Sequence, residues 1–283
     1  MEIHDYAFVK AAQLISHADA LLITAGAGMG VDSGLADFRG RQGFWKSYPA
    51  LQASGIVFEE MATPRHFRTR PELAWGFYGH RLNLYRRMQP HGGFHILREI
   101  AARLNHDAFV FTSNVDGHFQ KTGFPEGRVV ECHGSIHYLQ CLNNCNQNVW
   151  SAEGFEPEVD DENCLLLNKP PSCPQCGGLA RPNILMFEDL DWIETRSMIQ
   201  RMRLNTWLWN AANPIVVEIG AGSSLPVVRQ FSERQRAPLI RINPFESELP
   251  RSTKHVSLPF GALNALSILK MALEDIHFFD RRP

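Results

Sequence analysis

The stretch Ala25-Gly26-Ala27-Gly28-Met29-Gly30-Val31-Asp32-Ser33-Gly34-Leu35-Ala36-Asp37-Phe38-Arg39-Gly40 decides the fold. It follows an apolar run at residues 20–24, which is typical of a buried parallel strand. A glycine-rich turn after such a strand lets backbone N–H groups approach a phosphate closely, with the positive end of the next helix behind them. The stretch therefore predicts a dinucleotide-binding turn, with a purely structural glycine turn as the alternative.

The spacing of the glycines argues against a dehydrogenase. The fingerprint Gly-x-Gly-x-x-Gly is matched by Gly26 and Gly28, but Val31 stands at its third position. Further glycines follow at positions 30, 34, 40 and 43. We expect a first turn that can hold a diphosphate, followed by a loop that carries Asp37, Phe38 and Arg39 as a lid over a nucleotide.

Composition excludes several classes of protein. The chain has 283 residues, 44% of them hydrophobic, and a formal net charge of -2. Such a balance is unlike the basic face of a phosphate-contacting nucleic-acid binder. The N-terminus lacks the pattern of a signal peptide, and no apolar run approaches the length of a membrane span. We expect a cytoplasmic protein with no nucleic-acid or membrane partner; its oligomeric state stays open.

Apolar runs and helical patterns alternate at both ends of the chain. Strands are predicted at residues 20–24, 108–112, 128–131, 215–219 and 239–242, and helices at 6–17, 72–88, 91–104, 189–212 and 261–278. This alternation predicts an α/β fold, a Rossmann-like parallel sheet with helices on both faces.

Two regions interrupt the alternation and predict a small second domain. Residues 41–89 are polar and aromatic-rich, and residues 136–186 hold many turn formers. We assign residues 1–40, 90–135 and 187–283 to the Rossmann-like domain. The small domain then consists of the cofactor loop and helical module at 41–89 and a zinc-binding module at 136–186.

The cysteines form two close pairs, Cys141-x3-Cys145 and Cys173-x2-Cys176. Two such knuckles can complete a tetrahedral four-thiolate zinc site, and a site with no open position is structural. The alternative is four unrelated buried cysteines. For Cys132, beside His133, a packing role is preferred to a nucleophilic one, because adjacent strand residues point to opposite faces.

Polar residues follow the second and third predicted strands. Asn114 and Asp116 leave one strand, and His133 leaves the next. Carboxyl ends of parallel strands share one edge of a sheet, where ligands bind. A histidine in such a cleft can act as a general base. The alternatives are an Asx turn or helix cap for Asn114 or Asp116 and a structural role for His133.

Together these pieces resemble the sirtuins, the NAD-dependent protein deacylases. The family pattern of Gly-Ala-Gly, Gly-Ile-Pro-Asp-Phe-Arg, Thr-Gln-Asn-Ile-Asp, His-Gly and two cysteine pairs is matched in order. The matching segments are residues 26–28, 34–39, 112–116 and 133–134, then the cysteine pairs, 181–188, 222–224 and 242–243.

The resemblance implies NAD as cofactor and a structural zinc ion. It implies NAD contacts at Gly26, Ala27, Gly28, Asp37, Phe38, Arg39, Ser113, Asn114, Asp116, Gly222, Ser223, Ser224 and Asn243. The diphosphate would lie on the amides near Gly28 and on Ser223 and Ser224, and Asp116 would bind the nicotinamide carboxamide.

The resemblance also implies a reaction. The carbonyl oxygen of an acylated lysine in a protein or peptide would attack the nicotinamide ribose, giving an imidate. His133 would be the general base, and Asn114 would orient the ribose or a water. The products would be lysine, nicotinamide and O-acyl-ADP-ribose. Met186, Phe187 and Glu188 would clamp the substrate peptide.

Tyr78-x-x-Arg81 is similar to the pair by which some sirtuins recognise negatively charged acyl groups. On a helix the two residues lie one turn apart, so that a hydroxyl and a guanidinium can bind one carboxylate. This predicts removal of succinyl or malonyl groups at least as well as acetyl. The alternative is a surface arginine beside a packed tyrosine.

Three positions depart from the family pattern. Ser113 replaces the usual Gln, Ala36 the usual Pro, and Glu188 the usual Gly. At position 188 a carboxylate can crowd the peptide or repel acidic flanks. These departures keep two alternatives open, an NAD glycohydrolase or ADP-ribosyltransferase using the same cleft, and a non-catalytic NAD-sensing module.

Overall fold

A computed structural model describes residues 3–35, 40–250, 252 and 254–280, with the backbone alone at 3–5 and 40–43. The strands are β1 Ala20–Ala25, β2 Ala108–Thr112, β3 Val129–Glu131, β4 Gly134–Cys141, β5 Val149–Ser151, β6 Val159–Asp160, β7 Leu165–Leu166, β8 Ala180–Ile184, β9 Pro214–Ile219, β10 Leu239–Ile242 and β11 Val256–Leu258.

Eleven α-helices accompany these strands in the described part of the chain, and five of them lie consecutively at residues 40–87. They are α1 Ile3–Ser16, α2 Gly40–Ser47, α3 Pro49–Ala53, α4 Phe58–Met61, α5 Pro64–Thr69, α6 Pro71–Arg87, α7 Gly92–Ala101, α8 His118–Lys121, α9 Thr195–Asn210, α10 Val227–Arg234 and α11 Ala262–Asp275. Short 3-10 helices span Ala27–Ser33, Glu126–Arg128 and Phe278–Asp280.

The main sheet has six strands in the order β11-β10-β9-β1-β2-β3. Every pairing is parallel, and Leu21 is in register with Ala108 on one side and Ile215 on the other. The strand order reverses between β1 and β9, which is the topological switch point of a doubly wound sheet. The predicted fold class is confirmed.

Alternate residues of the strands face two helix layers, as the period of a strand requires. Leu21 and Ile23 pack against α1, α7 and α11 in one core. Leu22 and Phe109 face the other core with Leu204 of α9. Because both faces are covered, the central strands are continuous apolar runs, and this explains why the sequence identified them.

A smaller region packs around a second sheet, ordered β5-β4-β8, whose pairings are antiparallel. Its core joins aromatic residues of α2 and α6, among them Phe44 and Trp75, to Leu139 of β4 and Ile184 at the end of β8. The proposed domain boundaries stay a prediction.

Among the elements that the sequence analysis missed, β11 and α10 belong to the main sheet and its helix layers. Strand β11 has three residues, which is too short for a periodic signal, and the eight residues of α10 bury only Val228 and Ser232. Within the described stretches, no helix is both long and apolar enough to cross a membrane.

Candidate active site

The turns after β1 and β9 touch each other at the switch point. The N–H of Gly26 donates to Ile219 O and that of Gly28 to Gly220 O, both at 3.0 Å. A Cβ on Gly26 would lie 2.7 Å from Gly220 O, and a Cβ on Gly220, whose φ is +62°, would lie 2.4 Å from the backbone of Gly28. Only glycine permits this approach. The two turns thus open at the crevice where such sheets bind ligands.

The segment after Gly26 is a 3-10 helix over Ala27–Ser33, and the expected loop does not begin directly after the first turn. Gly34 ends this helix in the left-handed region, with φ +85°. The predicted lid residues Asp37, Phe38 and Arg39 lie outside the described residues, so their roles stay predictions.

The end of β2 is tied to the glycine turn by side chains. The hydroxyl of Thr112 donates to Ala25 O at 2.9 Å, and Ser113 N–H donates to the same oxygen at 3.1 Å. The amide Nδ2 of Asn114 donates to Gly26 O at 2.9 Å. Asn114 therefore lies beside the Gly26 turn, half-buried at the carboxyl edge of the sheet.

Asp116 is buried at the entrance to α8. Its Oδ1 accepts a hydrogen bond from His118 N–H at 2.8 Å, which is the Asx turn that the sequence left open. Burial raises the pKa of this carboxyl. His137 Nε2 donates to the Asp116 carbonyl at 2.9 Å, and burial lowers the pKa of His118 to about 4. The imidazole of His118 is therefore neutral near pH 7.

His133 follows β3 on the same edge. Cys132 N–H donates to Thr112 O at 2.9 Å, which joins this strand end to that of β2. The imidazole of His133 is half-buried, and burial lowers its pKa. A neutral imidazole near pH 7 is the form that a general base requires. Cys132 is buried in the core and burial raises its pKa to about 12, in agreement with a packing role.

An ion pair that the sequence analysis missed anchors the strand that leads to His133. Arg196 of α9 lies 2.6 Å from the buried Glu131 carboxylate and 3.0 Å from Glu126. Ser197 Oγ donates to Glu131 O at 2.8 Å. These partners are more than sixty positions apart in sequence, and no local pattern marks such a pair.

Residues 185–188 run beside His133. Leu185 N–H donates to His133 O, and Phe187 N–H donates to Ala62 O, both at 2.9 Å. Gly134 allows this approach, because a Cβ there would lie 2.0 Å from Asn183 O. The predicted peptide-clamping residues Met186, Phe187 and Glu188 are thus brought next to the predicted base, with Met186 buried and Glu188 exposed.

Tyr78 and Arg81 are buried on α6, so the alternative of a surface arginine is wrong. The guanidinium carbon of Arg81 lies 5.6 Å from the centre of the Tyr78 ring. Its Nη2 and Nε donate to Tyr85 Oη at 2.9 and 3.1 Å. Burial raises the pKa of Tyr78 to about 12, so its hydroxyl is neutral. Arg81 is also close enough to Asp116 to lower the pKa of that carboxyl, which opposes burial.

The turn after β9 is braced by the end of β10. Asn243 is buried, and its Nδ2 donates to Ala221 O at 2.9 Å while its Oδ1 accepts from Glu246 N–H at 3.0 Å. The backbone N–H and hydroxyl of Ser223 donate to the Glu246 carboxylate at 2.9 and 2.8 Å. Ser223 thus presents two donors to an anionic group; Gly222 and Ser224 flank it in the exposed turn.

The four sulfur atoms of Cys141, Cys145, Cys173 and Cys176 all lie within 4.8 Å of one another. The Sγ atoms of Cys141 and Cys176 are 3.7 Å apart, and those of Cys145 and Cys173 are 3.6 Å apart. A tetrahedral zinc ion with Zn–S bonds of about 2.3 Å places its sulfurs about 3.8 Å apart. Disulfide sulfurs are far closer, at about 2.0 Å. The cysteines therefore fit a closed, structural zinc site.

A cavity of about 560 Å³ lies away from this site. Pro214 and Pro238, at the amino ends of β9 and β10, line it together with His17 and His255. Parallel sheets bind their ligands at the carboxyl ends. The cavity is therefore separate from the candidate active site, in which the ends of β1, β2, β3 and β9 meet.

Comparison with known sequences identifies relatives over most of the chain. A sequence model described as the Sir2 family matches residues 26–225. An NAD-dependent protein deacylase of Leptospira interrogans serovar Lai is 32% identical over 230 residues, which are 81% of this chain and 82% of the relative. The NAD-dependent protein deacylase 2 of Pseudomonas syringae pv. tomato is 27% identical over 250 residues, 87% of this chain and 90% of the relative.

Solved structures share the fold. A Sir2 homologue in complex with NAD superposes with a TM-score of 0.71 at 24% identity, covering 94% of both chains. A mutant Sir2 homologue in complex with 2'-O-acetyl-ADP-ribose gives a TM-score of 0.70 at 25% identity, covering 94% of this chain and 96% of the other.

Proposed function

The chain belongs to the Sir2 family and is an NAD-dependent protein deacylase, and we propose that it removes succinyl or malonyl groups from lysine at least as well as acetyl. The activity is that of its relatives in Leptospira and Pseudomonas, which align along most of their length. The acyl preference rests on one observation, the burial of Arg81 beside Tyr78 and Tyr85 near Asp116.

NAD would bind across the switch point. Gly26 and Gly28 let the backbone approach it, and since the Gly28 N–H donates to Gly220, the Ala27 N–H is the better diphosphate donor. Ser223, with Gly222 and Ser224 beside it, would hold the diphosphate from the other turn. In this structure the backbone N–H and the hydroxyl of Ser223 donate hydrogen bonds to Glu246 instead.

The nicotinamide end of NAD would lie further along the cleft. Asp116 would bind the nicotinamide amide, while Ser113 and Asn243 shape the cleft. NAD supplies a glycosidic bond that opens to an electrophilic sugar carbon.

His133 would take a proton from a ribose hydroxyl. Burial lowers its pKa, which keeps the ring neutral at pH 7. The amide of Asn114, held on the Gly26 carbonyl, would orient the ribose or an attacking water. A carbonyl oxygen is a weak nucleophile, so positioning and water exclusion must supply most of the rate.

The acyl chain would run toward α6, where Arg81 and the hydroxyl of Tyr78 bind its carboxylate. A guanidinium that pairs with a buried carboxylate forms a strong, charge-assisted contact. Tyr85 holds the guanidinium in place through two hydrogen bonds. A neutral acetyl group offers no carboxylate to Arg81 and Tyr78, which favours the longer acidic groups.

Mass spectrometry of products from NAD with matched acetyl-, malonyl- and succinyl-lysine peptides tests the proposal. We expect O-acyl-ADP-ribose and nicotinamide in each case, with kcat/KM for succinyl at least equal to that for acetyl. Arg81→Met lowers succinyl turnover about 100-fold or more relative to acetyl. Undiminished succinyl activity in Arg81→Met would show that Arg81 and Tyr78 do not bind the acyl carboxylate. Nicotinamide release that does not depend on added peptide would indicate NAD hydrolysis.

A further inference from the structure

The turn at residues 186–191 is held rigid by a buried carboxylate. Asp189 pairs with Arg181 at 2.8 Å, and both side chains are fully buried. The same carboxylate accepts hydrogen bonds from Met186 N–H at 3.3 Å and Asp191 N–H at 3.2 Å. The backbone of the turn is therefore locked from inside, and the residues at its tip are displayed in a defined direction.

Glu188 and Leu190 are displayed at that tip. Leu190 is 99% exposed, and Glu188 is exposed with a φ of +55°. A glutamate seldom adopts the left-handed region, which glycine occupies without strain. Glycine at position 188 would relieve this backbone strain. The conformation of the turn therefore does not explain why a glutamate is present.

The carboxylate of Glu188 differs from its acidic neighbours in having no ion-pair partner within the described residues. Asp189 pairs with Arg181, and Asp191 pairs with Arg68 at 3.0 Å. The turn also lies directly beside the reaction centre, because Leu185 is hydrogen-bonded to His133 and Phe187 to Ala62. A peptide whose modified lysine reaches His133 would therefore run close to this turn.

We propose that Glu188 is a specificity residue that selects acyl-lysine substrates with a lysine or arginine close to the modified position. The inference rests on the proposed function, because it needs residues 185–188 to face the peptide. An exposed ion pair changes an equilibrium about two- to fivefold. Glu188 would attract a basic residue beside the acyl-lysine and repel an acidic one. The kcat/KM values of peptides with basic and with acidic flanks should therefore differ by about three- to tenfold, mostly through the peptide KM.

The test uses three peptides with the same acyl-lysine and with arginine, glutamine or glutamate at the flanking positions. Binding of fluorescent peptides and kcat/KM are measured for the wild type, Glu188→Gln, Glu188→Gly and Glu188→Lys. Glu194→Gln is the matched control, because Glu194 is an exposed acid six positions further along the chain. We expect the preference for arginine to disappear in the neutral variants, to reverse in Glu188→Lys and to persist in Glu194→Gln.

Thermal unfolding separates specificity from a structural role. Glu188→Gly should have a Tm equal to or above that of the wild type, because glycine relieves the backbone strain. A fall in Tm in both neutral variants, or equal preference in the wild type and Glu188→Gln, overturns the proposal. Charge-selective peptide binding without turnover refutes the deacylase activity and supports the role of Glu188 in specificity. Turnover without charge selectivity supports the deacylase activity and refutes the role of Glu188.

Discussion

The carboxyl edge of the main sheet and the smaller region around β4 are built by different means. At the edge, the turns at Gly26 and Gly220 approach so closely that side chains are excluded. In the smaller region, buried side chains determine the geometry, as in the Arg181–Asp189 pair and the Arg81–Tyr85 contact. The edge would face NAD, which is common to the family, and the smaller region would face the acyl-peptide. We therefore expect selectivity to vary with the side chains of the smaller region.

Removal of zinc gives the largest expected effect and should be confined to the smaller region. Structural zinc contributes about 10 kcal/mol or more of apparent binding free energy. A chelator should therefore abolish hydrogen-exchange protection in β4 and β8, while β1 and β9 keep theirs. The protein should contain one zinc ion per chain. Cys173→Ser should lose the ion. Cys164→Ala, which removes a buried thiol outside the four-cysteine cluster, should retain it. Equal loss of protection in both regions would contradict the separation.

Replacing His133 tests the edge of the sheet by its chemistry. His133→Ala should lower kcat/KM about 10²- to 10⁴-fold for acetyl and succinyl peptides alike, because a general base serves every acyl group. In the wild type, burial lowers the pKa of His133 from the usual histidine value of about 6.5. The imidazole therefore stays neutral at pH 6.5 and becomes protonated only at a lower pH. The acid limb of kcat/KM should therefore fall below pH 6.5. Loss of less than tenfold, or loss for one acyl group alone, argues against this role.

Gly220→Ala probes the backbone contact between the two turns. The added Cβ would lie 2.4 Å from Gly28, at a φ of +62°. Overpacking and left-handed strain should together lower the free energy of unfolding by about 3 kcal/mol. Urea denaturation of Gly222→Ala is the control, because the nearest atom to a Cβ there is 3.7 Å away. Similar stability of the two variants would show that the turns can move apart.

The sequence predicted well what local patterns encode. Apolar runs marked β1, β2, β9 and β10, and cysteine spacing marked a cluster whose sulfurs the structure brings within 4.8 Å. Glycines and polar strand ends marked the edge of the sheet before its topology was known. Each of these signals depends on neighbours in the chain.

Contacts between distant side chains could not be predicted in the same way. The Glu131–Arg196 pair and the contact of the Glu246 carboxylate with Ser223 join residues far apart in the chain and leave no periodic trace. The glutamate at position 188 was visible in the sequence. Its left-handed backbone, and its place on a turn held by the Asp189 carboxylate, became visible only in the structure.

The central claim is that His133 acts on NAD bound at the switch point between β1 and β9. A crystal structure with ADP-ribose and a succinyl-lysine peptide measures this directly. We predict the diphosphate between the Gly26 and Gly222 turns and an imidazole nitrogen of His133 within about 3.2 Å of a ribose hydroxyl or one water away. ADP-ribose bound elsewhere, or a His133 ring that reaches neither the ribose nor a bridging water, would contradict the account.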